Sequence, residues 1–137
     1  MNSKSFVLVA FTISLLTISC TSNKEKAMKL IQQGIEDNNY KRYEDAFQKF
    51  EKAISLKDDI PDAYYYRGNY FYNIEKYNNA MSDYNKALLL DSNYADAYYN
   101  RGLIKNMNRD KKGCCEDWLK AEKLGKPDME DKTRWCK

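Results

Sequence analysis

The sequence contains no histidine, and its 137 residues include only 5 glycines and 2 prolines. Histidine is the commonest general base and the commonest metal ligand in proteins, so its absence removes most simple catalytic and metal-binding schemes. The scarcity of glycine and proline favours helices over long loops. The formal charge of +3, from 23 basic and 20 acidic residues with interspersed signs, is too small for a nucleic-acid surface.

Catalysis has no candidate residues in the sequence. There is no glycine-rich phosphate loop and no visible nucleophile–base pair. The neighbouring carboxylates of Glu116 and Asp117 would point about 100° apart on a helix. With no Cys-x-x-Cys motif and no histidine, a zinc site is also disfavoured. We therefore expect a protein that is not an enzyme and holds no cofactor or metal.

The N-terminal 19 residues have the order of a signal peptide. Lys4 precedes an uncharged, mostly apolar run of about 13 residues, and Ser19 follows that run. As a helix, the run would span only about 20 Å of a hydrocarbon core of roughly 30 Å. Residues 1–19 are therefore predicted to be a targeting segment and not a comfortable membrane span.

The end of this segment, Leu16-Thr17-Ile18-Ser19-Cys20, resembles the lipobox of bacterial lipoproteins. The resemblance implies that Cys20 carries lipid and becomes the new N-terminus, with residues 20–26 as the lipidated N-terminus and short tether. It also implies a bacterial membrane-anchored protein facing the periplasm or the cell exterior. An ordinary cleaved signal or an uncleaved anchor are the alternatives.

An internal repeat of 34 residues organises the rest of the chain. Ala63-Tyr64-Tyr65-Tyr66-Arg67-Gly68 returns as Ala97-Tyr98-Tyr99-Asn100-Arg101-Gly102, and repeats of this length indicate stacked structural units. Five columns of similar residues extend over three copies: Gly34, Gly68 and Gly102; Ala46, Ala80 and Cys114; Phe50, Tyr84 and Trp118; Ala53, Ala87 and Ala121; Leu56, Leu90 and Leu124.

Each copy is predicted to form two amphipathic helices, because its apolar residues recur at three- and four-residue steps. In the second copy the first helix begins at Pro61 and ends near Asn73, and the second covers about Tyr77 to Leu90. A turn is predicted at Asn38-Asn39 in the first copy. Gly125 is predicted to cap the last helix.

These residues resemble the tetratricopeptide repeat, and the second copy matches it most fully, with Tyr64, Gly68, Phe71, Ala80, Tyr84 and Ala87 at the family's positions. The resemblance implies an all-α, right-handed superhelical solenoid of about three helix-turn-helix units. The units are residues 27–60, 61–94 and 95–128, and residues 129–137 are left as a C-terminal capping segment. Asp37 and Lys105 depart from the family's pattern, since both stand where it has an aromatic residue.

The three cysteines after Cys20 allow one disulfide and one free thiol. Adjacent cysteines rarely pair with each other, so Cys136 is expected to pair with Cys114 or Cys115. Cys114 occupies a small, buried column, which favours a free core thiol. Cys115 lies one step round the helix and is the favoured partner of Cys136.

The family binds ligands on the concave face lined by the first helix of each unit. Carried over residue by residue, the resemblance implies a neutral groove formed by Ile31, Ile35, Tyr65, Tyr66, Asn69, Tyr72, Tyr99, Asn100, Leu103 and Asn106. Tyrosine and asparagine suit a protein or peptide segment recognised partly through its backbone. We therefore expect a non-catalytic scaffold or adaptor that binds another protein. A glycan- or peptidoglycan-binding surface is the alternative, and the open ends of the solenoid permit self-association.

Overall fold

The structure, a computed structural model, describes residues 22–137. The signal peptide predicted for residues 1–19 and the lipidation predicted at Cys20 lie outside the described residues. Helix α1 covers residues 22–39. The helices that follow are α2 (Tyr43–Leu56), α3 (Pro61–Asn73), α4 (Tyr77–Leu90), α5 (Ala95–Met107), α6 (Lys111–Lys123) and α7 (Glu130–Thr133), with a 3-10 helix at Arg134–Cys136. None of the helices within residues 22–137 combines the length and the apolar character that crossing a membrane requires.

The helices form three hairpins, α1–α2, α3–α4 and α5–α6, stacked in chain order with α2 against α3 and α4 against α5. The predicted all-α solenoid of helical repeats is confirmed. The helix bounds predicted for the second unit are also confirmed, with α3 ending at Asn73 and α4 running from Tyr77 to Leu90. The turn predicted at Asn38-Asn39 was wrong, because both residues are helical and the turn lies at Tyr40 and Lys41.

The turn inside each hairpin depends on one residue in the left-handed backbone conformation. Lys41, Glu75 and Arg109 have φ values of 61°, 61° and 62° and lie 34 residues apart. After each of them the next N–H donates to a carbonyl five residues earlier, as from Lys76 to Phe71 at 2.8 Å. This hydrogen bond closes the helix end in a Schellman motif. Gly125, with φ of 86°, closes α6 in the same way, as predicted.

The core confirms the register of the glycine, small-residue and aromatic columns. The small residues Ala46, Ala80 and Cys114 are at most 1% exposed, and the aromatic residues Phe50, Tyr84 and Trp118 are at most 2% exposed. Each aromatic ring lies against the glycine of its own unit. A Cβ added to Gly34, Gly68 or Gly102 would lie 2.5, 2.8 or 2.5 Å from that ring. The glycines are therefore required by the close approach of the two helices.

The aromatic column also joins each unit to the next. Phe50 stacks on Tyr66 of the second unit with the ring centroids 5.7 Å apart. Tyr84 shares a buried cluster with Ile104 of the third unit. Trp118 meets Trp135 of the C-terminal segment edge-on at 5.9 Å. The C-terminal segment therefore occupies the place of a following unit.

A disulfide fixes this segment to α6. It joins Cys115 to Cys136 with their Cα atoms 5.4 Å apart, which is the pairing favoured from the sequence. Cys114 is a buried free thiol, and burial raises its pKa, so it remains an unreactive core residue. Met129 is 2% exposed beside Trp118, and the Thr133 hydroxyl donates to Glu122 at 2.7 Å.

The repeated arginines have a structural role. Arg67 forms two hydrogen bonds to Asp83, of 2.8 and 2.7 Å. Arg101 forms two to Asp117, of 2.8 and 2.6 Å. Each arginine also contacts the second helix of the preceding unit, Arg67 through Glu51 and Arg101 through Asn85. They therefore bind three helices together.

Candidate functional site

The groove positions are carried by the first helices α1, α3 and α5, and the structure separates the ten predicted residues into two groups. Ile31 is 3% exposed and packs with Ala27, Phe50 and Ala53. It belongs to the core and is not available to a ligand. The same cluster includes Ala63 of the second unit, so Ile31 is enclosed both by α2 and by the unit that follows. The other nine residues are partly buried, or exposed in the case of Asn106.

Tyr65 is the centre of an aromatic group on α3. Its ring centroid lies 5.1 Å from that of Tyr66 and 4.8 Å from that of Tyr94, the residue just before α5. The Tyr94 hydroxyl donates to Asp62 at 2.7 Å. Burial raises the pKa of Tyr65, and burial together with Asp62 raises that of Tyr94. Both hydroxyls therefore stay protonated at neutral pH, and Tyr65 is held between two helices.

The two groove asparagines form a hydrogen-bond network across three helices. Asn69 Oδ1 on α3 accepts from the Tyr84 hydroxyl on α4 at 2.8 Å and from Asn100 Nδ2 on α5 at 2.8 Å. Asn100 Nδ2 also lies 3.5 Å from the Tyr65 hydroxyl. These contacts fix both side chains. Within residues 22–137 no hydrogen bond to Asn100 Oδ1 is found, so that oxygen can accept one from a ligand's N–H group.

Tyr66 and Tyr72 provide the partly open aromatic faces of the groove. Tyr66 rests on Phe50, and Tyr72 meets Tyr77 of α4 edge-on at 5.7 Å. Each ring is therefore supported on one side by the fold. Within residues 22–137 neither hydroxyl makes a hydrogen bond, so both can form hydrogen bonds with a bound partner.

The third unit contributes Tyr99, Leu103 and Asn106. Lys126 lies 4.8 Å from the Tyr99 ring centroid, and Leu103 packs on the cluster around Trp118. Two exposed methionines also stand at the family's groove positions and were not predicted, Met28 at 45% exposure and Met107 at 49%. They occupy the second and thirteenth positions of their units, so the 34-residue register was sufficient to find them.

Charge at the groove is confined to one edge. Asp62 and Asp96 occupy the second position of their units, and Asp96 forms an ion pair with Lys126. Asp96 is 52% exposed, so it remains open to solvent on its other side. Among the nine available predicted residues none is charged. The groove side chains are therefore neutral, with Asp62 and the ion pair of Asp96 and Lys126 beside them.

Comparisons with known proteins agree with this architecture. A family model described as TPR repeat matches residues 68–106, whereas a search of the curated proteins found no match. The first TPR of Spaghetti (RPAP3) bound to the HSP90 peptide SRMEEVD has a TM-score of 0.75 at 21% identity, covering 82% of this chain and 91% of that one. The Arabidopsis OM64 TPR domain has a TM-score of 0.76 at 22% identity, covering 83% and 96%. The Sgt2 TPR domain from Aspergillus fumigatus has a TM-score of 0.70 at 22% identity, covering 80% and 76%.

The chain therefore contains tetratricopeptide repeats and has the fold of a tetratricopeptide-repeat domain. The match to the repeat model covers most of the second unit, from the middle of α3 through α4, and nearly all of α5, the first helix of the third unit. The similarity to the solved domains extends the same fold over most of the chain. At these identities the solved domains establish the fold and not the ligand.

Proposed function

We propose that this protein is a non-catalytic scaffold or adaptor, a lipoprotein of the bacterial cell envelope, that binds an extended segment of another protein in its groove. The observation that carries the proposal is the network of Asn69, Asn100, Tyr65 and Tyr84, which holds polar groove side chains in place before any partner arrives. Fixed side chains lose little conformational entropy on binding, so they favour affinity.

An extended peptide suits the exposed groups of this groove. Its backbone presents both N–H and C=O groups, which can pair with Asn100 Oδ1 and with the hydroxyls of Tyr66 and Tyr72. Tyrosine rings contribute a large apolar contact area and are frequent in protein-binding surfaces. The structurally similar first TPR of Spaghetti (RPAP3) is bound to the HSP90 peptide SRMEEVD, which supports peptide binding here.

The tether is proposed from the lipobox-like residues 16–20. Acyl chains on one cysteine contribute about 0.8 kcal/mol for each buried CH₂ group, so two or more chains hold a domain of this size at a membrane. Lipid on Cys20 would place the groove close to the membrane surface, where it meets other envelope proteins.

Site-specific photocrosslinking in intact cells tests the groove. We expect benzoylphenylalanine at Tyr66 to give a discrete protein adduct, because this residue lies in the groove and the substitution keeps an aromatic ring on Phe50. The matched control is the same amino acid at Leu89 of α4, which is 78% exposed and lies outside the groove. Equal adducts from both positions, or none from Tyr66, would contradict a protein-binding groove. Enrichment of peptidoglycan fragments at Tyr66 would favour the glycan alternative.

Fractionation of a Cys20→Ala variant tests the tether separately. We expect the wild type in the membrane fraction and the variant to be released or mislocalised. A variant that remains in the membrane and still incorporates labelled fatty acid would contradict lipidation at Cys20.

A further inference from the structure

In the second unit two cations lie close to the ring of one tyrosine, Tyr64. The Arg67 guanidinium carbon is 5.5 Å from the ring centroid of Tyr64, and Lys86 Nζ is 5.7 Å from it. Cations at this distance are attracted to the face of an aromatic ring. The ring fills the space between α3 and α4 and gives Lys86 a partner.

The third unit repeats this arrangement with the residues 34 positions later. Arg101 lies 5.3 Å and Lys120 5.9 Å from the ring centroid of Tyr98. The tyrosine between two cations is therefore a regular feature of the last two units.

The first unit lacks it. At the same positions it has Leu30 in place of the tyrosine and Gln33 in place of the arginine, while Lys52 keeps the position of the lysine. Both replacements are smaller side chains. An open cavity of about 300 Å³ is found there, lined by Lys26, Lys29, Leu30, Gln33, Lys52 and Leu56. Its volume is at the lower end of those that bind small molecules.

The chemistry of this cavity is amphipathic. Leu30 and Leu56 supply apolar surface, and three lysines surround it. Among the residues that the structure describes, Lys26, Lys29 and Lys52 form no ion pair, whereas Lys126 and Lys49 have carboxylate partners. An occupant with an anionic group next to a short apolar part would complement both features.

We propose that this cavity binds an anionic phospholipid of the membrane that tethers the chain, with its negatively charged headgroup on the lysines and the adjacent acyl carbons on Leu30 and Leu56. The proposal rests on the tether proposed above, since Lys26 and Lys29 lie within nine residues of Cys20 in the chain. Basic side chains near an anionic membrane surface each contribute about 1 kcal/mol to binding, and a second attachment reinforces a lipid anchor.

Lysine footprinting of the full-length lipoprotein in vesicles tests the contact. Vesicles of phosphatidylglycerol and phosphatidylcholine are compared with vesicles of phosphatidylcholine alone, and acetylation of each lysine is followed by mass spectrometry. We expect several-fold slower acetylation of Lys26, Lys29 and Lys52 in the anionic vesicles only. Lys112 and Lys123 of α6 are the reference positions. Equal rates in both vesicles, or equal protection of the α6 lysines, would overturn the proposal.

A second experiment does not depend on the tether. The full chain with Cys20→Ser is titrated with soluble short-chain phosphatidylglycerol, and binding is measured by calorimetry. Leu30→Tyr recreates the ring found at Tyr64 and Tyr98, so it fills the cavity and is expected to abolish binding without unfolding the hairpin. A triple change of Lys26, Lys29 and Lys52 to Gln should weaken binding by about a hundredfold.

The matched control replaces Lys111, Lys112 and Lys123 by Gln, which removes the same charge from α6 and should leave the affinity unchanged. Binding that survives Leu30→Tyr, or no binding to the parent chain, would overturn the proposal. If the chain binds the lipid but fractionation shows that the wild type is not tethered, the tether would be refuted and the lipid-binding cavity would stand.

Discussion

The first and third repeat units have the same helical-hairpin fold but place opposite charges at the same positions of the repeat. In the first unit Asp37 on α1 accepts from Lys49 on α2 and also from Arg42. In the third unit Lys105 on α5 lies 2.9 Å from Asp117 on α6. Asp37 and Lys105 are 68 residues apart, as are Lys49 and Asp117. The carboxylate and the ammonium group have exchanged helices.

This exchange explains the two departures from the aromatic pattern. The position that Phe71 occupies in the second unit tolerates either charge, provided that the facing helix supplies the opposite one. The glycine and aromatic columns do not tolerate a change of side-chain size, because Gly34 and Gly102 each face an aromatic ring at contact distance. Shape is therefore fixed in every unit, whereas charge needs only to be complementary.

The largest loss of stability is expected from breaking the contact between glycine and aromatic ring that the two units share. Gly34→Leu and Gly102→Leu each insert a side chain where even a Cβ would lie 2.5 Å from Phe50 or Trp118. We expect each change to destabilise the domain by about 3 kcal/mol or more, as measured by urea denaturation followed by circular dichroism. Gly125→Asn is the control, since a Cβ at Gly125 meets no atom within 4 Å and asparagine is the side chain that best tolerates its φ of 86°, so only a small loss is expected. If both leucine variants kept the wild-type midpoint, the proposed register would be wrong.

The second-largest effect is expected from removing the disulfide, a feature that the third unit has and the first unit lacks. Cys115 occupies the column of Phe47, which stacks on Tyr70 with centroids 4.5 Å apart, so the disulfide replaces an aromatic contact between units. Cys136→Ser is expected to cost about 3 kcal/mol, because it removes a covalent loop of about 20 residues. Cys114→Ala should be nearly neutral, since Ala46 and Ala80 occupy that column. Equal loss of thermal stability in both variants would contradict the assignment of the cap.

A smaller effect is expected from the exchanged ion pair itself. Asp37→Lys places a third cation beside Lys49 and Arg42 and should lower the thermal midpoint. Adding Lys49→Asp recreates the polarity of the third unit and should recover most of the loss. A double-mutant cycle measures the coupling, and additive losses would show that the pair has no mutual dependence.

The same pair predicts a pH dependence. The hydrogen bond from Lys49 and, to a smaller extent, that from Arg42 hold the pKa of Asp37 below its ordinary value of 3.8. Because the folded pKa is depressed, this contribution to stability is complete above about pH 4 and is lost as the pH falls through the folded pKa. Asp37→Asn should therefore flatten the acid limb of the stability profile. An unchanged acid limb in the variant would contradict the role of Asp37.

The smallest effect concerns the turn that the units have in common. Glu75 has φ of 61°, a conformation that disfavours residues with a side chain. Glu75→Gly should raise stability by roughly 0.5–1 kcal/mol, since relief of this strain exceeds the entropic cost of glycine. Differential scanning calorimetry of this variant beside Glu75→Ala measures the gain. A destabilised glycine variant would show that the Glu75 side chain contributes more than the strain costs.

Prediction from sequence succeeded where the residue at a position has a single structural explanation. Helix bounds in the second unit followed from the period and from Pro61, and the disulfide followed from the contrast between the columns of Cys114 and Cys115. The turn at Asn38-Asn39 failed because the left-handed residue there is Lys41, which gives no local signal. Ile31 was assigned to the groove because its position in the repeat does not show that Phe50 and Ala53 bury it.

The amino-acid sequence by itself determined the repeat, the stacking of three helical hairpins and the column in which each small or aromatic residue packs. These follow from periodicity and side-chain volume, which are local properties. Only the tertiary structure decided which asparagines bond to each other, that Asp37 and Lys105 are each neutralised by the opposite helix, and that the first unit is left with an open cavity. Those outcomes depend on distances between helices, and such distances are set only when the hairpins pack together.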